Sequence, residues 1–184
     1  MSIYQWETGM SAYALRTAVA LAAGAALCLS APLASASDRD TPVQGVKISS
    51  AANAATRAIA EKEPLAAIAA ATVCGTGYEL YNAEPLPDLN TRQGTLFTYD
   101  NGGLGPGNSE CAILDNNTAS AKWMKIQLCE NKATSPRCDV DQGNYSDYAG
   151  PVFMNNCPTV TALMKTTSGS SSYIINAVRG SFCD

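Results

Sequence analysis

The chain contains no histidine. Ser-His-Asp and Cys-His catalysis, His-ligated zinc and an imidazole pH switch are therefore excluded. Positive charge is scarce, with 12 Lys+Arg against 16 Asp+Glu, a net charge of −4 and no basic cluster. Nucleic-acid affinity rests on phosphate neutralisation by such clusters, so no nucleic-acid partner is expected. No CxxC pair occurs among the seven cysteines. That spacing is what a tetra-cysteine zinc site or a thioredoxin-like redox centre would need. Long apolar runs are missing too. The run at residues 18–29 (AVALAAGAALCL) has 12 residues, short of the ~20 that cross a membrane. A length of 184 residues suggests one domain with an appendage.

What is present begins with that short run. Arg16 precedes it, no acid interrupts it, and Ala34-Ser35-Ala36 supplies a small-x-small site after it. These are the parts of a secretory signal over residues 1–36, with Ser37 as the first mature residue. Leu27 stands just before Cys28, where a lipoprotein signal carries a small residue, which argues against a lipid anchor there. Trp6 and Glu7 are out of place in a basic leader. Met10 opens a cleaner signal (MSAYALRTAVALAAG), which predicts a start at Met10 rather than Met1.

Export changes the cysteine count. Cys28 leaves with the signal, and Cys74, Cys111, Cys129, Cys138, Cys157 and Cys183 remain. An even number in an exported chain reads as a disulfide framework. Six cysteines allow 15 pairings. Cys129 and Cys138 flank the polar turn ENKATSPR between two strand-like segments, so a local bridge is expected there. Of the three arrangements then left, Cys74–Cys111 with Cys157–Cys183 joins neighbouring segments.

Residues 37–70 are dominated by Ala, Ser and charge and hold no aromatic residue. SAANAATRAIAEKE (50–63) has good helix formers, and Pro64 interrupts it. Large apolar residues are few. The expectation is a flexible, partly helical extension, with a pro-segment as the alternative.

From residue 71 to 184 the texture changes to short apolar-aromatic runs between turn residues. This predicts an all-β domain, a small disulfide-stapled sandwich or barrel. Expected strands are 77–82, 95–99, 110–114, 121–129, 148–154, 159–166 and 172–178. Met124, Ile126 and Leu128 alternate with Lys125 and Gln127, and Val160, Ala162 and Met164 with Thr161 and Lys165. Such alternation marks half-buried strands. Ser168-Gly169-Ser170 reads as the turn of a hairpin. Trp123 falls opposite Met124 and its companions, where a second core layer would bury it.

Candidate chemical constellations are few. Gly103-Leu-Gly-Pro-Gly107 is followed by no amphipathic helix and reads as a hairpin loop rather than a phosphate cradle. In Asp139-Val-Asp141-Gln-Gly143-Asn144, the EF-hand positions five, six and twelve hold Gly143, Asn144 and Gly150. That is not an EF-hand, and a solvated acidic loop is expected. No motif places two carboxylates across a cleft. No cofactor and no metal site are expected.

Several segments together carry a resemblance. They are ATVCGTGY (71–78), GTLFTY (94–99), Cys111-Ala-Ile and DQGNYSDYAGPV (141–152), with Cys157 and Cys183. The most distinctive is Gly143-x-Tyr145-x-x-Tyr148-Ala149-Gly150-Pro151-Val152. The chain here resembles the actinobacterial spore-associated protein A family of small exported proteins. The resemblance implies a place at the cell or spore surface and brings no catalytic residues with it. The Cys129/Cys138 pair and the length of 37–70 depart from the family's pattern. Three classes stay open: a non-catalytic surface protein, a binding or inhibitor module presenting residues 130–137, and a small carboxylate hydrolase.

Overall fold

A computed structural model describes residues 45–103, 107–132 and 134–180. The expected signal, the Ala36/Ser37 boundary, Cys28 and Cys183 lie outside the described residues. The architecture is two helices and eight strands: α1 (Ala54–Lys62), α2 (Pro64–Cys74), β1 (Glu79–Leu86), β2 (Gly94–Asp100), β3 (Ser109–Asn116), β4 (Lys122–Cys129), β5 (Cys138–Tyr145), β6 (Tyr148–Asn155), β7 (Thr159–Lys165) and β8 (Ile175–Arg179). Two antiparallel sheets form, ordered β1-β2-β3-β6 and β5-β4-β7-β8. The all-β expectation resolves to a sandwich.

The main core lies between the sheets. Leu96, Leu114, Ala149 and Val152 of the first sheet meet Met124, Ile126, Leu128, Val160 and Met164 of the second. The strict alternation along β4 and β7 explains why these strands were legible. From Met124 to Leu128 and from Val160 to Met164 the even-numbered side chains are buried, and the odd-numbered ones face outward.

A second core covers the other face of the first sheet. Leu80, Phe97, Tyr99 and Ile113 pack there against Ile59, Ala60, Ala67, Ala70 and Cys74. β2 is buried on both faces as a result. The helix expected within residues 50–63 is present as α1, and its packing into a core, together with Ala67 and Ala70, differs from the expectation that this stretch adds nothing to one. Asn53 caps α1 by accepting from the Thr56 N–H at 2.8 Å, and Pro64 opens α2. Residues 47–49 bond to Leu80 in β1 through Leu80 N to Lys47 O and Ser49 N to Leu80 O, both 2.9 Å. Large apolar residues on the helices are unnecessary, because the sheet supplies them. Alanine lets the helix backbone approach closely, and the Tyr99 hydroxyl reaches the Ala67 carbonyl at 2.8 Å.

Trp123 also differs from expectation. It stands on the outer face of the second sheet, where the described residues form no further layer, and is partly exposed. Among the described residues no helix is long and apolar enough to cross a membrane.

Candidate functional site

The distinctive motif forms a corner between the sheets. β5 belongs to the second sheet and β6 to the first, and the short turn between Tyr145 and Tyr148 joins them. Sequence periodicity missed β5 because its inward positions are Asp139, Asp141, Gly143 and Tyr145 rather than aliphatic residues. They alternate with exposed Cys138, Val140, Gln142 and Asn144.

The two aspartates bridge to β6 backbone. Asp139 Oδ2 accepts from Phe153 N, and Asp141 Oδ2 from Gly150 N, each at 2.7 Å. Asp141 Oδ1 also accepts from the Tyr145 hydroxyl at 2.6 Å. That bond pushes the Tyr145 pKa up to about 12, with burial and the Asp141 charge adding to it. The carboxylates expected to sit in a solvated loop therefore satisfy edge-strand N–H groups, which otherwise invite pairing with another chain.

Both glycines have a reason. A Cβ at Gly143 would come within 3.0 Å of the Tyr145 ring, which folds back over it toward Asp141. Gly150 has φ +109°, and a Cβ there would lie 2.8 Å from the Ala112 carbonyl. Gly150-Pro151 is a cis peptide. Ala149 and Val152 enter the core between the sheets, and Tyr148 packs on the helix side. Asn116 Nδ2 donates to the Tyr145 carbonyl at 3.0 Å. The motif brings two sheets together; these contacts are internal.

Cys74 is joined to Cys111, tying the end of α2 to β3, and Cys129 to Cys138. The second pair lies directly across the β4–β5 ladder, with Cα atoms 4.1 Å apart. Cys157 is also disulfide-bonded. Its expected partner, Cys183, lies outside the described residues.

The loop closed by Cys129–Cys138 is clamped from within. Glu130 accepts from Arg137 N at 2.9 Å and Arg137 Nε at 2.7 Å, and pairs with Lys132 at 2.6 Å. These hydrogen bonds, from Arg137 first, hold the Glu130 carboxyl down to about 2. An open depression of about 230 Å³ lies beside it, lined by Arg137, Phe153, Met154 and Asn155.

One cluster escaped the sequence reading. Asp100 and Glu110 flank the β2–β3 hairpin and are paired directly across the ladder. Both point between the sheets and are 3% and 6% exposed. The Tyr81 hydroxyl interacts with Glu110 and Thr98. Asp100 Oδ1 accepts from Gly102 N at 3.2 Å and also from Gly103 N. Burial, aided by the Asp100 charge and opposed by the Tyr81 hydrogen bond, raises Glu110 to about 7. Burial first, then the Glu110 charge, pushes the Tyr81 pKa up. The signal available was the breaker-rich stretch 101–108, which as a hairpin sets residues 100 and 110 face to face. The depression named above contains neither carboxylate in its lining.

Fold and site thus define a disulfide-bonded β-sandwich with a helical cover and a Tyr-Asp corner joining its sheets. Over 83 residues the chain is 30% identical to Spore-associated protein A of Streptomyces coelicolor, covering 45% of this chain and 49% of that protein. The match spans about half the length of that curated relative, which supports at most a distant relationship. No family model matches the sequence, and no solved structure matches it.

Proposed function

We propose that the protein is exported and acts without catalysis at the cell or spore surface of an actinobacterium. The observation that carries this reading is the likeness to a protein named as spore-associated. The bridged cysteines support it, since disulfides persist in oxidising compartments. The leader at residues 1–36 supports it from the sequence side. Residues 71–184, together with the helical cover, form the mature folded part in this reading. Immunolabelling of intact cells and spores tests it. Surface label is expected, and label confined to the cytoplasm contradicts it.

A second reading, a binding or inhibitor module, is favoured by the Glu130 clamp. In the candidate loop 130–137, the bridge and the Glu130–Arg137 ion pair hold its two ends together, which lowers the ordering cost on binding. Loss of partner capture by Glu130→Ala, with the fold intact, supports that reading. The carboxylate hydrolase gains little, because Asp100 and Glu110 are buried away from any polymer substrate.

A further inference from the structure

The outer face of the second sheet has an unusual charge distribution. β4 presents Trp123, Lys125 and Gln127 there, and β7 presents Leu163 and Lys165 in register with them. No acid stands at an outward position of β4, β5, β7 or β8. The acids of β5, Asp139 and Asp141, point the other way, onto β6. In a chain with net charge −4, this face carries cations without an acid.

The two ammonium groups are placed differently. Lys165 lies over the Tyr173 ring at 4.5 Å and the Trp123 ring at 5.4 Å, which restrains it. Lys125 is opposite Leu163, so it is the diagonal neighbour of Lys165, at roughly 7–8 Å. Gln142 and Asn144 of β5 sit beside Lys125 and Trp123, and Asn176 of β8 sits beside Leu163. Amide side chains both donate and accept, as hydroxyl-rich ligands require.

We propose that this face is a binding platform for an anionic polysaccharide. Lys125 and Lys165 bind its carboxylates, and the flanking amides bind its hydroxyls. Two cations are too few for nucleic acid, whose affinity rests on many phosphate contacts. Exposed Val140 and Val178 stand at opposite edges of one row, separated by Gln127 and Thr161. That row forms no continuous apolar patch of the kind that docks a protein or a bilayer. The platform rests on the surface reading for where such a polymer is met, but its binding is measured on the purified chain.

The test uses the disulfide-intact full chain on immobilised polygalacturonate, with dextran as the neutral glycan and phosphatidylglycerol vesicles as the lipid arm. Retention on polygalacturonate alone is expected, weakening as salt screens the charges. Lys125→Gln with Lys165→Gln weakens it on the order of tenfold at an unchanged unfolding midpoint. Lys62→Gln, in the helical layer, leaves it unchanged. The proposal is overturned by no retention, equal retention on dextran, retention only on vesicles, or a double variant that binds like wild type. None of these failures alters where immunolabel falls, so the surface reading stands or falls separately.

Discussion

At the residue scale, Gly150 and Glu110 carry the sharpest consequences. Gly150→Ala sets a Cβ 2.8 Å from the Ala112 carbonyl at a φ of +109°. A loss of about 2 kcal/mol or more is expected in urea unfolding, because backbone must move. Asp141→Ala strands the Gly150 N–H and the Tyr145 hydroxyl together. It is expected to cost about 2 kcal/mol and to return the Tyr145 titration toward its ordinary range, read by ultraviolet difference spectra. Glu110 acts through pH. Its folded pKa near 7 stands above the unfolded value of 4.5, so its proton is bound more tightly in the folded state. Its contribution is fully present below pH 4.5 and is lost as pH rises to about 7. Glu110→Gln should therefore raise stability at pH 8 by about 2–3 kcal/mol and flatten the dependence between those limits. Unchanged stability at pH 8 would contradict the buried placement beside Asp100.

At the element scale, legibility followed the hydrophobic period. β4 and β7 alternate aliphatic with polar residues and could be read directly. β5 alternates too, but its inward side chains are Asp139, Asp141, Gly143 and Tyr145, so hydropathy carries no signal. The helix within residues 50–63 was legible, but the packing of α1 and α2 on the sheet was not, because most of the large apolar partners sit on the sheet and the helices contribute mainly alanine. The corner itself was readable as Gly, Tyr and Pro at fixed spacing, whereas its hydrogen-bond acceptor was not. Asp100 and Glu110 become neighbours only once the β2–β3 register is known. The bridges act between elements as well. Cys74–Cys111 closes a separation of 37 residues and Cys129–Cys138 one of 9. On the chain-entropy model, replacing both cysteines by serine costs about 4 kcal/mol for the first pair and about 2.5 kcal/mol for the second. Unfolding under non-reducing conditions should give that order. The reverse order would mean that α2 is held mainly by its packing.

At the scale of the whole molecule, the described residues form three layers with two unlike outer faces. The first sheet is covered by helices, and the second presents lysine, amide and aromatic side chains. The missing histidine and the retained cysteines pointed to an extracellular, stapled protein. The sandwich adds where four of its acids go: Asp139 and Asp141 onto the β6 edge, and Asp100 and Glu110 into the interior. The central claim is export of a bridged mature chain to the surface. The most direct measurement is intact-mass analysis of the native protein recovered from the surface fraction, with and without reduction. The account predicts a chain beginning at Ser37 with no alkylatable thiol before reduction and six after it. A chain found only in the cytoplasm, retaining its leader and reacting with alkylating agent before reduction, would contradict it.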